Sequence, residues 1–161
     1  MLTLDSLDRL FIVIAFLFQI ILIIHFALRK WRFETAVRYG PFVYGLGLPA
    51  AVISLILLLG GKAWSLWLGG FLFLVWGLFG YWIEYVRKIE WRNAWRWQIL
   101  VPYVLLYLAT TMFYWFPLAL LWKPLWYVFG VLFVLSVYLN VTSHKKPAEP
   151  AQVSPLAGGR P

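Results

Sequence analysis

Cysteine is missing altogether, and acids are scarce, with six Asp and Glu against fourteen Lys and Arg in 161 residues. The first absence excludes disulfides and thiolate chemistry and leaves the redox compartment open. The second leaves few side chains for general acid or base work. Of the two histidines, His25 and His144, neither has a second ligand at metal spacing or a facing partner for haem. No metal site and no cofactor are therefore expected. A Ser/His/Asp order, paired acids, CxxC and a phosphate loop are absent too. The N-terminus lacks the basic region and small-residue cleavage site of a secretory signal. It carries Asp5 and Asp8 instead, with its cations after the apolar run, so this segment is expected to be kept as a helix capped by Asp5.

What remains is apolar: 63% of residues are hydrophobic and 12% charged, where a soluble domain has about a quarter charged. Five apolar runs cover residues 10–28, 41–59, 64–86, 98–121 and 125–141. At about 1.5 Å per residue, the third exceeds the roughly 30 Å hydrocarbon layer. The predicted fold class is an all-α integral membrane protein of five transmembrane helices in one domain, residues 1–144. Residues 145–161, with Pro147, Pro150, Pro155 and Pro161 and no apolar period, are expected to form a disordered tail.

The cations set the orientation. Arg29, Lys30, Arg32 and Arg38 follow the first run, Arg87, Lys88, Arg92 and Arg96 follow the third, and Lys145, Lys146 and Arg160 lie in the tail. Only Arg9, Lys62 and Lys123 fall on the other side. The positive-inside rule then places the N-terminus outside and the C-terminus in the cytoplasm, in a plasma or inner membrane. The eight cations of the first and third connections are expected to meet headgroups of an anionic cytoplasmic leaflet. Within residues 87–97, Lys88, Arg92 and Arg96 at i, i+4, i+8 beside Trp91 and Trp95 suit a short interfacial helix. A segment this short, pinned at a bilayer, offers little groove for a nucleic acid, and none is expected as a partner.

Small residues mark packing faces. Gly70, Gly77 and Gly80 share a helical face with Glu84, and Gly47, Ala51 and Ser54 share one on the second run. Gly40-Pro41 is expected to end the helix that emerges from the first run. Gly45, Gly47 and Pro49 should kink the second, Gly60-Gly61-Lys62 should form a tight turn, and Pro117 is positioned to end the fourth run early.

His25, Tyr44, Glu84, Tyr103 and Asn140 fall at one depth on the five runs, and Tyr103, Tyr107, Thr110 and Tyr114 form a stripe on the fourth. These are the candidate ligand-binding residues. Glu84 has two readings: an inward-facing carboxylate in a polar pocket, or a surface partner of Arg87 and Lys88 at i+3 and i+4. No residue is assigned a catalytic role. The function expected first is that of an accessory or assembly subunit acting through helix contacts with a membrane partner or a second copy. The alternative is a small-molecule or lipid-binding protein, or a transporter, using the Tyr/Thr stripe with Glu84. A membrane enzyme resting on His25 and Glu84 comes third.

Overall fold

A computed structural model describes residues 4–89 and 96–143. All regular structure among them is helical: α1 (Ser6–Trp31), α2 (Phe33–Gly45), α3 (Gly47–Leu59), α4 (Trp64–Tyr81) continued by a π turn (Trp82–Val86), α5 (Trp97–Leu121) and α6 (Lys123–Thr142). Taking α2 with α3, and α4 with its π turn, gives five helices long and apolar enough to cross a membrane. The remainder of the predicted interfacial helix and the tail lie outside the described residues.

The five form a closed ring in which α1 packs on α2 and α6, α6 on α5, α5 on α4, and α4 on both α2 and α3. Aromatic side chains fill the middle. Phe18 of α1 stacks on Phe73 of α4 at 4.9 Å, Phe26 meets Tyr107 of α5 edge-on at 5.8 Å, and Trp76, 1% exposed, lies against Phe73, Tyr44, Tyr103 and Tyr107. The outward faces are apolar as well. Val13, Leu17, Ile20 and Ile24 are exposed along α1, and Val128, Val131, Val134 and Leu135 along α6. An apolar exterior on this scale is consistent with a membrane helical protein.

The helix ends follow local chemistry. Asp5 caps α1 by accepting from the Asp8 amide at 2.9 Å while Asp8 accepts from the Asp5 amide, and the Lys62 ammonium bridges both carboxylates at 2.7 and 2.6 Å. The Lys62 ammonium holds the Asp5 carboxyl below its ordinary range, and the two carboxylates raise Lys62 in turn. After α3 the Lys62 amide donates to Leu57 and the Gly61 amide to Leu58, with Gly61 at φ 69°. That is a Schellman closure, and the left-handed residue it requires is cheapest as glycine.

Two proline expectations are corrected. Gly40-Pro41 does not end a helix: the chain already reverses at Arg32, and α2 runs straight through Pro41. Proline deprives the Val37 carbonyl, four residues back, of its amide partner. The Tyr85 hydroxyl donates to that carbonyl at 2.8 Å, approaching over Gly40, where a Cβ would block it. Pro117 does not shorten α5 either, which continues to Leu121. The Phe113 backbone it leaves open faces Gly69 of α4. The second run is interrupted at Leu46, between α2 and α3, where Pro49 cannot donate to the Gly45 carbonyl.

The small residues lie between helices of this same chain. A Cβ on Gly77 would sit 2.6 Å from the Tyr44 carbonyl oxygen, one on Gly47 would sit 2.8 Å from the Leu74 Cα, and Gly70 faces Ala50 and Ser54. Gly80 lies under the Tyr44 ring. Ala51, next to that face, is half-buried.

Candidate functional site

The site is built around a residue the sequence places elsewhere. Arg29, expected at headgroups, is buried at 6% exposure, with its Nη2 3.8 Å from the Glu84 Oε2 and 3.1 Å from the His25 Nε2. His25 and Arg29 are one helical turn apart on α1, so both point into the ring beside the end of α4. The other cations of the two basic connections divide. Arg32, Arg38, Arg87, Lys88 and Arg96 are exposed, Lys30 donates to the Thr142 hydroxyl at 3.1 Å and lies over the Tyr138 ring, and Arg92 is outside the described residues.

Glu84 turns inward because α4 changes its winding. The π turn, in which the Arg87 amide donates to Trp82 five residues back at 2.8 Å, inserts an extra residue and rotates the carboxylate toward α1. The pairing of Glu84 with Arg87 and Lys88 needs a continuing helix, which stops at Val86. Lys88 has φ 50° and the Arg87 guanidinium lies 5.5 Å over the Trp82 ring. Residues 87–89 are accordingly not helical, unlike the interfacial helix expected there. Glu84, 17% exposed, pairs across the ring instead.

Tyr44 of α2 and Tyr103 of α5 close the group, their hydroxyls 3.3 Å apart and both residues buried. Tyr44 also faces Arg29 and Glu84. It gets this close because Gly77 and Gly80 remove side-chain bulk under its backbone and ring. The glycine face of α4 thus positions a tyrosine of the site. Of the five residues expected to share a depth, His25, Tyr44, Glu84 and Tyr103 converge. Asn140 is half-buried, and its side chain makes no hydrogen bond to them.

The stripe on α5 is divided. Tyr107 meets the Ser136 hydroxyl of α6 at 2.8 Å, and Gln19 of α1 donates to the same hydroxyl at 2.9 Å and to the Leu132 carbonyl at 3.1 Å. This second cluster satisfies Gln19, which is 2% exposed. Thr110 and Thr111 bond back to the Leu106 and Tyr107 carbonyls of their own helix, and Tyr114 packs against Phe11 and Phe18. Trp76 stands between the two clusters.

No protein family, curated protein or solved structure matches this chain. The chemistry of the site is therefore read from its own atoms. Three buried polar atoms have no hydrogen-bond partner among the described residues: Arg29 Nη1, His25 Nδ1 and Trp76 Nε1. Two of them, Arg29 Nη1 and Trp76 Nε1, are obligate donors. Buried polar groups are otherwise almost always paired, and an unpaired donor is a group that an acceptor would satisfy. Among the described residues no three His, Asp or Glu side chains converge as metal ligands would.

The sequence reading missed Arg29 and did not join the stripe residue Tyr107 to Gln19 and Ser136 as one cluster. The spacing of Arg29 four residues after His25 was a usable signal, since it puts both on one face. Only the location of Glu84 makes that face an interior one.

Proposed function

We propose that this chain is a multi-pass membrane protein, N-terminus outside and C-terminus cytoplasmic, that binds a small acidic molecule at the His25/Arg29/Glu84 centre, as a binder or transporter. The observation that carries this is the buried Arg29 guanidinium with one nitrogen toward Glu84 and the other without a partner. A charge in the hydrocarbon costs about 2.5 to 3.5 kcal/mol even on the lenient scale, and a buried ion pair is weak support for stability. Such a pair is a functional site by default. Guanidinium takes carboxylate or phosphate through two parallel N–H donors. A carboxylate or phosphate of a ligand would occupy Nη1 and compete with Glu84 for Nη2, while the Tyr44 and Tyr103 hydroxyls accept or donate at its edge. Glu84 is then an internal stand-in for the ligand, holding Arg29 in place while the site is free.

The expectation of an assembly subunit drew on the Gly47 and Gly70/Gly77/Gly80 faces. Those faces oppose other helices of this chain, which removes their support for an external partner and makes the binding reading the stronger one.

The test is a thermal-shift measurement on the full chain in mild detergent, with benzoate and inorganic phosphate as probes against a chloride control at equal ionic strength. A bound probe raises the midpoint in proportion to RT ln(1 + [L]/Kd), about 2.7 kcal/mol at a hundredfold excess over Kd. Wild type should respond to at least one probe, Arg29→Gln to neither, and Glu84→Gln at lower probe concentration than wild type. Equal responses in wild type and Arg29→Gln would remove the proposal.

A further inference from the structure

A groove of about 190 Å³ runs between α1 and α2, separate from the charged centre and touching it only through His25. Its walls are Ile21, Ile24 and Leu28 on one side and Phe42, Val43 and Leu46 on the other. Only His25 along its length and Tyr39 at its end are polar. That end, between Leu28 and Tyr39, lies beside the α1–α2 reversal, where Arg32 and Arg38 are both exposed.

We propose that this groove seats one acyl chain of an anionic phospholipid, with the lipid phosphate held at Arg32 and Arg38. Three features select the occupant. At about 190 Å³ the groove holds less than one turn of a helix of a partner or of a second copy, which is about 10 Å across with its side chains and about 5.4 Å per turn, and it suits part of a single hydrocarbon chain. Its one basic end sets the direction, headgroup at the reversal and chain descending past Leu28 and Ile24 toward Ile21 and Leu46. Two exposed guanidiniums against the single carboxylate of Glu34 leave this end net positive, which favours a phosphate over a zwitterionic headgroup, each cation near the leaflet contributing about 1 kcal/mol. The site does not depend on acid binding at Arg29, because apart from His25 its walls and cations are other residues.

Native mass spectrometry of the full chain, released from detergent after incubation with equal amounts of phosphatidylglycerol and phosphatidylcholine of the same acyl composition, tests this directly. Wild type should retain one phosphatidylglycerol per chain, on the order of tenfold over phosphatidylcholine from the two cations. Arg32→Gln with Arg38→Gln, both at exposed positions, should abolish the preference. Ile24→Trp, half-exposed and able to fold with a larger side chain that fills the groove, should cut retention of both lipids. Arg29→Gln should leave the preference unchanged, which separates this site from the acid site. Equal retention of the two lipids by wild type would overturn the proposal, as would unaltered retention by Ile24→Trp. So would a free fatty acid displacing the phospholipid, or a dimer that Ile24→Trp dissociates, each of which assigns the groove to another occupant.

Discussion

At the scale of single residues, the clearest electrostatic contact outside the apolar body is the Lys62 bridge to Asp5 and Asp8, which ties the start of α1 to the turn after α3. Its pH window follows from the shifts of its members. Asp5, held below its ordinary value of 3.8 mainly by the hydrogen bond from Lys62, contributes stability above that value and loses it as pH falls through its lowered folded value. Lys62, raised above 10.5 by the two carboxylates, contributes below that value and loses it as pH rises beyond it. The bridge is therefore intact between about pH 4 and 10, the span between the ordinary values. Lys62→Gln should lower the thermal midpoint at pH 7, and the gap to wild type should narrow progressively as pH falls below about 4 through the lowered Asp5 value. A gap that stays constant as pH is lowered until the wild type itself unfolds would show that Lys62 acts through packing. Asp5 as a helix cap is legible in the sequence, since an acid before an apolar run needs only its own neighbours to act. Arg29 is not legible in the same way. Its burial depends on Glu84, a residue distant in the chain, and four cations within ten residues otherwise read as a solvated cluster.

At the scale of elements, the five apolar runs are legible because their length and composition fix them without any knowledge of tertiary packing. Their ends are less so wherever a proline's effect is offset from elsewhere. Pro41 reads as a helix breaker, yet α2 accommodates it because Tyr85 reaches the Val37 carbonyl across Gly40. Tyr85→Phe should cost about 1 kcal/mol of stability, the usual net value of one hydrogen bond. In a Pro41→Ala background the new amide takes the Val37 carbonyl itself, so the same Tyr85→Phe change should be nearly neutral. Additive losses in the two backgrounds would show that Tyr85 does not act through that carbonyl. The π turn at Trp82–Val86 is likewise invisible to a 3.6-residue wheel. A regular helix aligns Glu84 with Arg87 and Lys88, whereas the wider winding turns it toward α1.

At the scale of the whole molecule, the ring of helices places an ion pair, two tyrosines and a histidine at one end of an aromatic interior, on the side of the two basic connections. The proposed orientation makes that side cytoplasmic. Single cysteines at Lys62 and Lys123 should react with an impermeant maleimide from outside the cell, and those at Arg38 and Ala148 only after permeabilisation. The reverse pattern would invert the orientation and place the acid site near the outer surface. The central claim is that Arg29 and Glu84 face each other inside the protein and not in the headgroup layer. Its most direct measurement is the four-corner cycle of wild type, Arg29→Gln, Glu84→Gln and the double variant, read as unfolding free energy in detergent. Removing one partner of a buried pair strands the other charge, a loss of about 3 kcal/mol or more, and removing both recovers a large part of it. The account predicts that each single variant is less stable than the double variant. Single losses under about 1 kcal/mol that add in the double variant, the behaviour of exposed ion pairs, would contradict it.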